Sequence, residues 1–235
     1  MSLIIYHSRH HSIMNPSHDK KNNQTLQLNC WFCLGNKEIE KNLIVYVGKE
    51  VYIALAKGNL TPYHVIIIPF AHLTSLIQLP ESVLEEINKI KVYLIKIFKT
   101  LNLRCAFYER NFKTPHFQIH CLQVPSKKYI EIKDIFLTKA KENNINLNQI
   151  PPYTHICQII SPKSKYFYVE FDDGEKLFAN IEDNDFPINF GREVFCHRDL
   201  LNQPEKADWK SVILPKDEER EMVRDLREMF AQAEI

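Results

Sequence analysis

An α+β fold built on an antiparallel sheet with one long helix, followed by a second, smaller α+β unit, is the architecture this sequence predicts. Three observations predict it. Short β-branched runs separated by turn residues begin at Leu43, and a single long amphipathic segment follows Pro80. The stretch His116-Phe-Gln118-Ile-His120-Cys121 then alternates polar with apolar side chains, the period of a strand. Such a strand would bury Phe117, Ile119 and Cys121 on one face and present His116, Gln118 and His120 on the other.

Taken in order, residues 1–28 are rich in Asn, Ser and His without periodicity and are expected to form a flexible arm, the His10-His11 pair included. Leu43–Val47, Val51–Leu55 and Val65–Pro69 read as strands, with Lys57-Gly58-Asn59 and Thr61-Pro62 as turns. Val83, Leu84, Ile87, Ile90, Leu94, Ile97 and Phe98 recur at helical spacing up to Thr100. Arg104–Glu109 and His116–Val124 return to strand, and Pro125 to Lys128 marks the expected border between a first domain, 29–125, and a second, 126–235. In the second, Ile130–Asn143 reads as a helix and Tyr166–Phe171 and Glu175–Phe178 as a hairpin turning at Asp172-Asp173-Gly174. Asp217–Ala231 reads as a charged helix whose mixed acids and bases form a solvated face.

Composition narrows the chemistry. With 235 residues and 45% apolar content the chain can bury a core, and 30 basic against 29 acidic residues give no global polyanion field. Any nucleic-acid contact then depends on a local basic face. Six irregularly spaced cysteines do not form a disulfide scaffold, and five glycines without a cluster supply neither a P-loop nor a dinucleotide-binding turn. No apolar run is long enough for a membrane span or signal peptide, so the protein is expected to be soluble and intracellular.

Cys30-Trp-Phe-Cys33 brings two thiols together in one turn, and a tetrahedral zinc site needs two further ligands. His72, at the exit of the Val65–Pro69 strand, and His116, at the start of the alternating strand, are the leading candidates. Two other readings stay open: reduced thiols beside a buried Trp31, and a rival cluster of His155, Cys157, Cys196 and His197.

Several motifs in consistent order carry a family resemblance. Cys30-Trp-Phe-Cys33-Leu, Leu55-Ala-Lys-Gly58, His64-Val-Ile-Ile-Ile-Pro69 with His72, and Glu109-Arg-Asn111 together resemble the CwfJ family. Tyr166-Phe-Tyr-Val-Glu170, Gly174-Glu-Lys-Leu-Phe178, Phe190-Gly-Arg-Glu-Val194 and Asp208-Trp-Lys210 resemble that family's second C-terminal domain. The resemblance covers roughly residues 28–212. It implies association with the spliceosome and intron-lariat turnover, a nuclear location, and spliceosomal proteins and a lariat-debranching enzyme as partners. Larger members resemble fusions with an N-terminal phosphoesterase-like region, which this sequence lacks.

The first domain is similar to the histidine-triad superfamily, which acts on nucleotide phosphates through a row of three histidines with the middle one as nucleophile. Some branches carry zinc on a CxxC, a later histidine and the first histidine of the row, which selects the same Cys30, Cys33, His72 and His116. Here Gln118 holds the nucleophile position and cannot perform covalent transfer. His120 remains as a phosphate donor or acid, with Lys57, His64, Glu109, Arg110 and Asn111 as candidate phosphate or ribose neighbours. Lys127, Lys128, Lys163, Lys165 and Arg192 are further RNA candidates. Three functions follow from these expectations: a non-catalytic or weakly active zinc-containing module binding branched RNA, a nucleotide phosphohydrolase using His120, and a spliceosomal interaction scaffold.

Overall fold

The computed structural model describes residues 30–182 and 185–232, so the expected N-terminal arm lies outside the described residues. Within them the fold is mixed α+β around one antiparallel eight-stranded sheet of order β1-β2-β3-β5-β4-β7-β8-β6. The strands are β1 (Ile44–Val47), β2 (Val51–Leu55), β3 (Val65–Pro69), β4 (Leu103–Asn111), β5 (Ile119–Pro125), β6 (Asn148–Gln149), β7 (Tyr166–Phe171) and β8 (Lys176–Asn180). The helices are α1 (Glu81–Thr100), α2 (Ser126–Tyr129), α3 (Ile132–Glu142), α4 (Phe190–Phe195) and α5 (Lys216–Gln232).

Helices cover both faces of this sheet, which is why strand after strand reads as continuously apolar rather than alternating. α1 lays Val83, Ile87, Ile90, Leu94, Ile97 and Phe98 into one core with Cys105, Phe107, Ile119 and Cys121. Opposite it, α3 and α4 pack Ile135, Phe136, Phe190, Val194 and Phe195 against Ala106, Tyr108, Leu122, Phe167 and Val169. Successive residues of β4 thus feed alternate cores. α5 seals the β1 edge with Val223, Leu226 and Phe230, the last stacking on Tyr46 at 6.2 Å. β4 pairs with β5 on one side and, from Ala106↔Phe171 to Asn111↔Tyr166, with β7 on the other. The sheet therefore runs unbroken from residues 44–125 into residues 148–180.

The expected strand from His116 is shortened, and its cause is local. Continuing the β3/β5 register beyond Ile67↔Ile119 would oppose Phe117 to Pro69, which has no N–H to give the ladder. The Phe117 amide instead donates to the Leu73 carbonyl at 2.6 Å. His116 and Gln118 consequently precede β5, and His116 and His120 do not form one row on a strand face.

Candidate metal and phosphate site

The strand end where the ladder fails is where four side chains able to ligate a metal meet. Cys30 and Cys33 share a turn closed by the Cys33 amide on the Cys30 carbonyl at 3.2 Å, and buried Asn36 holds that carbonyl again from Nδ2 at 3.0 Å. Their sulfurs face His116 Nδ1 at 3.5 and 3.6 Å, and Cys33 Sγ faces His72 Nδ1 at 3.2 Å. All four ligand atoms lie within 4.8 Å of one another, and among the described residues no other cluster of three or more potential ligands forms. Usual bond lengths in tetrahedral zinc put a nitrogen-to-sulfur edge at about 3.6 Å, close to these three nitrogen–sulfur separations.

The tautomer agrees. His116 Nε2 lies 3.0 Å from the Pro69 carbonyl, which can only accept, so the ring proton sits there and Nδ1 offers its lone pair to the cluster. Burial, with His72 alongside, pushes the His116 pKa down to about 4 and keeps the ring neutral. Burial and the neighbouring Cys30 push the Cys33 thiol up to about 12, an environment that opposes a thiolate until a cation compensates it. Trp31, read as a buried neighbour, is 67% exposed; Phe32 packs on His116 instead, with ring centroids 6.1 Å apart. The rival cluster does not assemble. Cys196 lies in the core beneath α3 and α4, His155 caps its own short 3-10 turn through the Cys157 amide, and His197 engages Asp199.

A second histidine group lies on the far side of β3 and β5. His64 Nδ1 accepts from the Leu60 amide at 3.3 Å, and since that amide can only donate, the His64 proton is on Nε2. Nε2 then donates to His120 Nδ1 at 3.0 Å, which leaves the His120 proton on its own Nε2. Tyr108 stacks on His120 with centroids 4.7 Å apart and planes 5° from parallel, fixing the ring. Burial first, then Arg192 and Arg110, push the His120 pKa down to about 3, so the ring is neutral at physiological pH. The half-buried imidazole thus ends in one N–H donor, which hydrogen-bonds an oxyanion without needing charge.

Two family models match end to end: "Protein similar to CwfJ C-terminal" over residues 17–137 and "Protein similar to CwfJ C-terminus 2" over residues 138–234. The chain belongs to the CwfJ family. Similar relatives include CWF19-like protein 1 of Mus musculus, 45% identical over 203 residues covering 86% of this chain and 38% of the relative. Its Drosophila melanogaster homolog is 39% identical over 208 residues, covering 88% and 38%. Zinc finger CCCH domain-containing protein 59 of Oryza sativa is 31% identical over 216 residues, covering 88% and 35%. The chain therefore spans little more than a third of the length of these relatives.

The family motifs have identifiable structural work. In Phe190-Gly-Arg-Glu-Val194, Gly191 lets α4 close on Tyr108, since a Cβ there would lie 2.6 Å from the ring. Arg192 is buried and donates to the Gly58, Lys206 and Ala207 carbonyls at 2.9, 2.7 and 2.8 Å, clamping the second half onto the β2–β3 loop. Gly58 has φ +62°, and Trp209 of the Asp208-Trp-Lys210 motif crosses it so closely that a Cβ would lie 2.4 Å from the Trp209 carbonyl oxygen.

Several candidate phosphate contacts go elsewhere. Glu109 is buried, accepting from the Leu76 amide at 3.1 Å and the Tyr166 hydroxyl at 2.8 Å. Lys57 is paired with Glu219 at 2.8 Å and Glu40 at 3.2 Å, and Asn111 holds the Ser164 carbonyl at 3.0 Å. Arg110 caps the Phe112 carbonyl while contributing field to His120. Gln118 is half-buried and has no hydrogen bond among the described residues. Lys128 donates to the Leu200 carbonyl, whereas Lys163 and Lys165 are exposed. Sequence reasoning missed Tyr108 and Leu60. Tyr108 carries a signal, because it stands opposite His120 once β4 and β5 are paired.

Proposed function

We propose that this chain is a zinc-stabilised RNA-processing module of the spliceosome and intron-lariat pathway, which binds the phosphodiester backbone of branched RNA and assists a lariat-debranching enzyme in the nucleus without itself cleaving RNA. Family membership supports the splicing association. Cys30, Cys33, His72 and His116 would hold zinc, which would supply folding energy rather than chemistry, since all four positions are taken by protein. The CCCH finger in the rice relative's name denotes three cysteines and one histidine, a set unlike this one, and carries no weight here.

The observation that carries the reading is the bond chain from the Leu60 amide through His64 to His120. It leaves no lone pair on the outer nitrogen of His120, so the ring can donate to a phosphate oxygen but cannot take a proton from attacking water. With Gln118 at the nucleophile position, binding outlasts the superfamily's covalent chemistry. A hydrolase would need the opposite tautomer, which the Leu60 amide opposes. His120→Ala tests this: RNA affinity falls severalfold, and turnover of nucleotide phosphoanhydrides stays at background in both proteins. Hydrolysis by the native chain, lost in His120→Ala, would refute the reading.

A further inference from the structure

α5 carries its charges in two stripes. Lys216, Arg220, Arg224 and Arg227 follow one another at steps of four, four and three, and Asp217, Glu221, Asp225 and Glu228 repeat the same steps one residue later. At 3.6 residues per turn each set occupies its own flank of the helix rather than intermixing with the other. The buried row of Val223, Leu226 and Phe230 fixes the helix rotation, and the basic flank then leans over the 3-10 turn Lys41–Leu43 that precedes β1. Arg220, Arg224 and Arg227 line a surface recess there together with Asn42, Val223 and Glu228.

These three guanidinium groups are under-partnered. Arg227 donates from Nε and Nη2 to the Ile44 carbonyl, which is neutral, at 3.1 and 2.6 Å. Among the described residues Arg224 pairs only with its neighbour Asp225, at 3.4 Å, with both side chains more than 60% exposed, a pairing of little worth in water. Arg220 has no ion pair among the described residues. Among the described residues Glu228 is the one acid lining the recess, nearby Glu40 is engaged by Lys57, and exposed Lys41 adds positive charge at the same turn.

We propose that this recess is a second phosphate-binding surface, which grips the backbone of single-stranded RNA. The inference rests on the RNA reading above and adds a separate contact surface to it. Guanidinium forks match phosphate oxygens bidentately, and a four-residue helical step advances about 6 Å, comparable to the spacing of neighbouring phosphates. The parallel acidic flank repels the same strand and confines it to the recess. This local polarity also reconciles nucleic-acid binding with a formal net charge of only +1.

The test is a salt series of binding to a short fluorescent single-stranded RNA, comparing the native chain with R220Q/R224Q, a double variant that spares Arg227 and its hold on Ile44. Each phosphate contact on a single strand contributes about 0.7 to the salt slope, so losing two flattens the slope by about 1.4 and weakens binding about 25-fold near 0.1 M salt. R220K/R224K keeps the charges and should retain the native slope. Native-strength binding by R220Q/R224Q would overturn this inference and leave the RNA reading standing, whereas no RNA binding by the native chain would overturn both. Equal competition by poly-glutamate would make the recess a general polyanion surface and overturn its assignment to RNA.

Discussion

Glu109 stands beside the site in sequence but serves the core in the fold, and the two roles respond oppositely to substitution. Burial pushes its carboxyl up to about 8 from an ordinary 4.5, with the Tyr166 hydroxyl, the Leu76 amide and Lys91 opposing the shift only in part. Because the folded-state pKa exceeds the unfolded one, folding takes up a proton between pH 4.5 and about 8, and stability falls as pH rises through that window. At 1.36 kcal/mol per pKa unit, the loss is about 3 kcal/mol at pH 7 and about 5 kcal/mol above pH 8, with little at pH 4.5. Glu109→Gln removes the titration and keeps an amide oxygen for the Leu76 N–H. Urea unfolding of both proteins at pH 5, 7 and 8.5 should show the variant gaining on the native chain by about 1.4 kcal/mol per pH unit and levelling above pH 8. RNA affinity should not change. Parallel stability profiles would mean that Glu109 is ionised in the fold, and a loss of RNA affinity at intact stability would return it to the phosphate site.

Other consequences are equally direct. Chelation of the metal, or Cys33→Ser, should lower the melting temperature, and metal return to the chelated protein should release protons as the thiols ionise; an unchanged melting curve and no bound zinc would contradict the metal site. Buried Lys91 pairs with part-buried Glu170 at 2.6 Å while the Tyr168 hydroxyl also donates to that carboxylate, so Lys91→Ala should cost about 1–3 kcal/mol, and Lys91→Met with Glu170→Leu should recover most of it in thermal unfolding. Gly191→Ala should cost about 1–3 kcal/mol and weaken RNA binding by displacing Tyr108 from His120, which an RNA titration beside a melting curve would separate. RNA affinity should be flat between about pH 5.5 and 8, because His120 titrates near 3 rather than near 6.5; a step around pH 6.5 would show an ordinary imidazole.

Periodicity was enough to read the α+β class, the long helix as Glu81–Thr100 and the hairpin of β7 and β8, because each buries a regular set of side chains. It failed where covalent detail overrides pattern. The alternation from His116 to Cys121 predicted a strand through His116, but Pro69 on the neighbouring strand cannot sustain the ladder there. α4 escaped notice because six residues with Gly191 are too short for a helical period, and β6 pairs over two residues. Of the candidate site, the grouping of Cys30, Cys33, His72 and His116 was legible from spacing and strand position. The ion pair of Lys57 with Glu219 and the hydrogen bond of Glu109 with Tyr166 were not, because those partners lie far along the chain. The acids and bases of α5 were expected to form a solvated face, and most are exposed; the apolar row of Val223, Leu226 and Phe230 that docks the helix on β1 was not read.

The most direct test of the central claim compares a labelled RNA containing a 2′–5′ branch with a linear RNA of equal length at physiological salt, the RNA being checked for cleavage afterwards. The account predicts tighter binding of the branched RNA, recovered intact. Equal binding of both RNAs, or cleavage that disappears in His120→Ala, would contradict it.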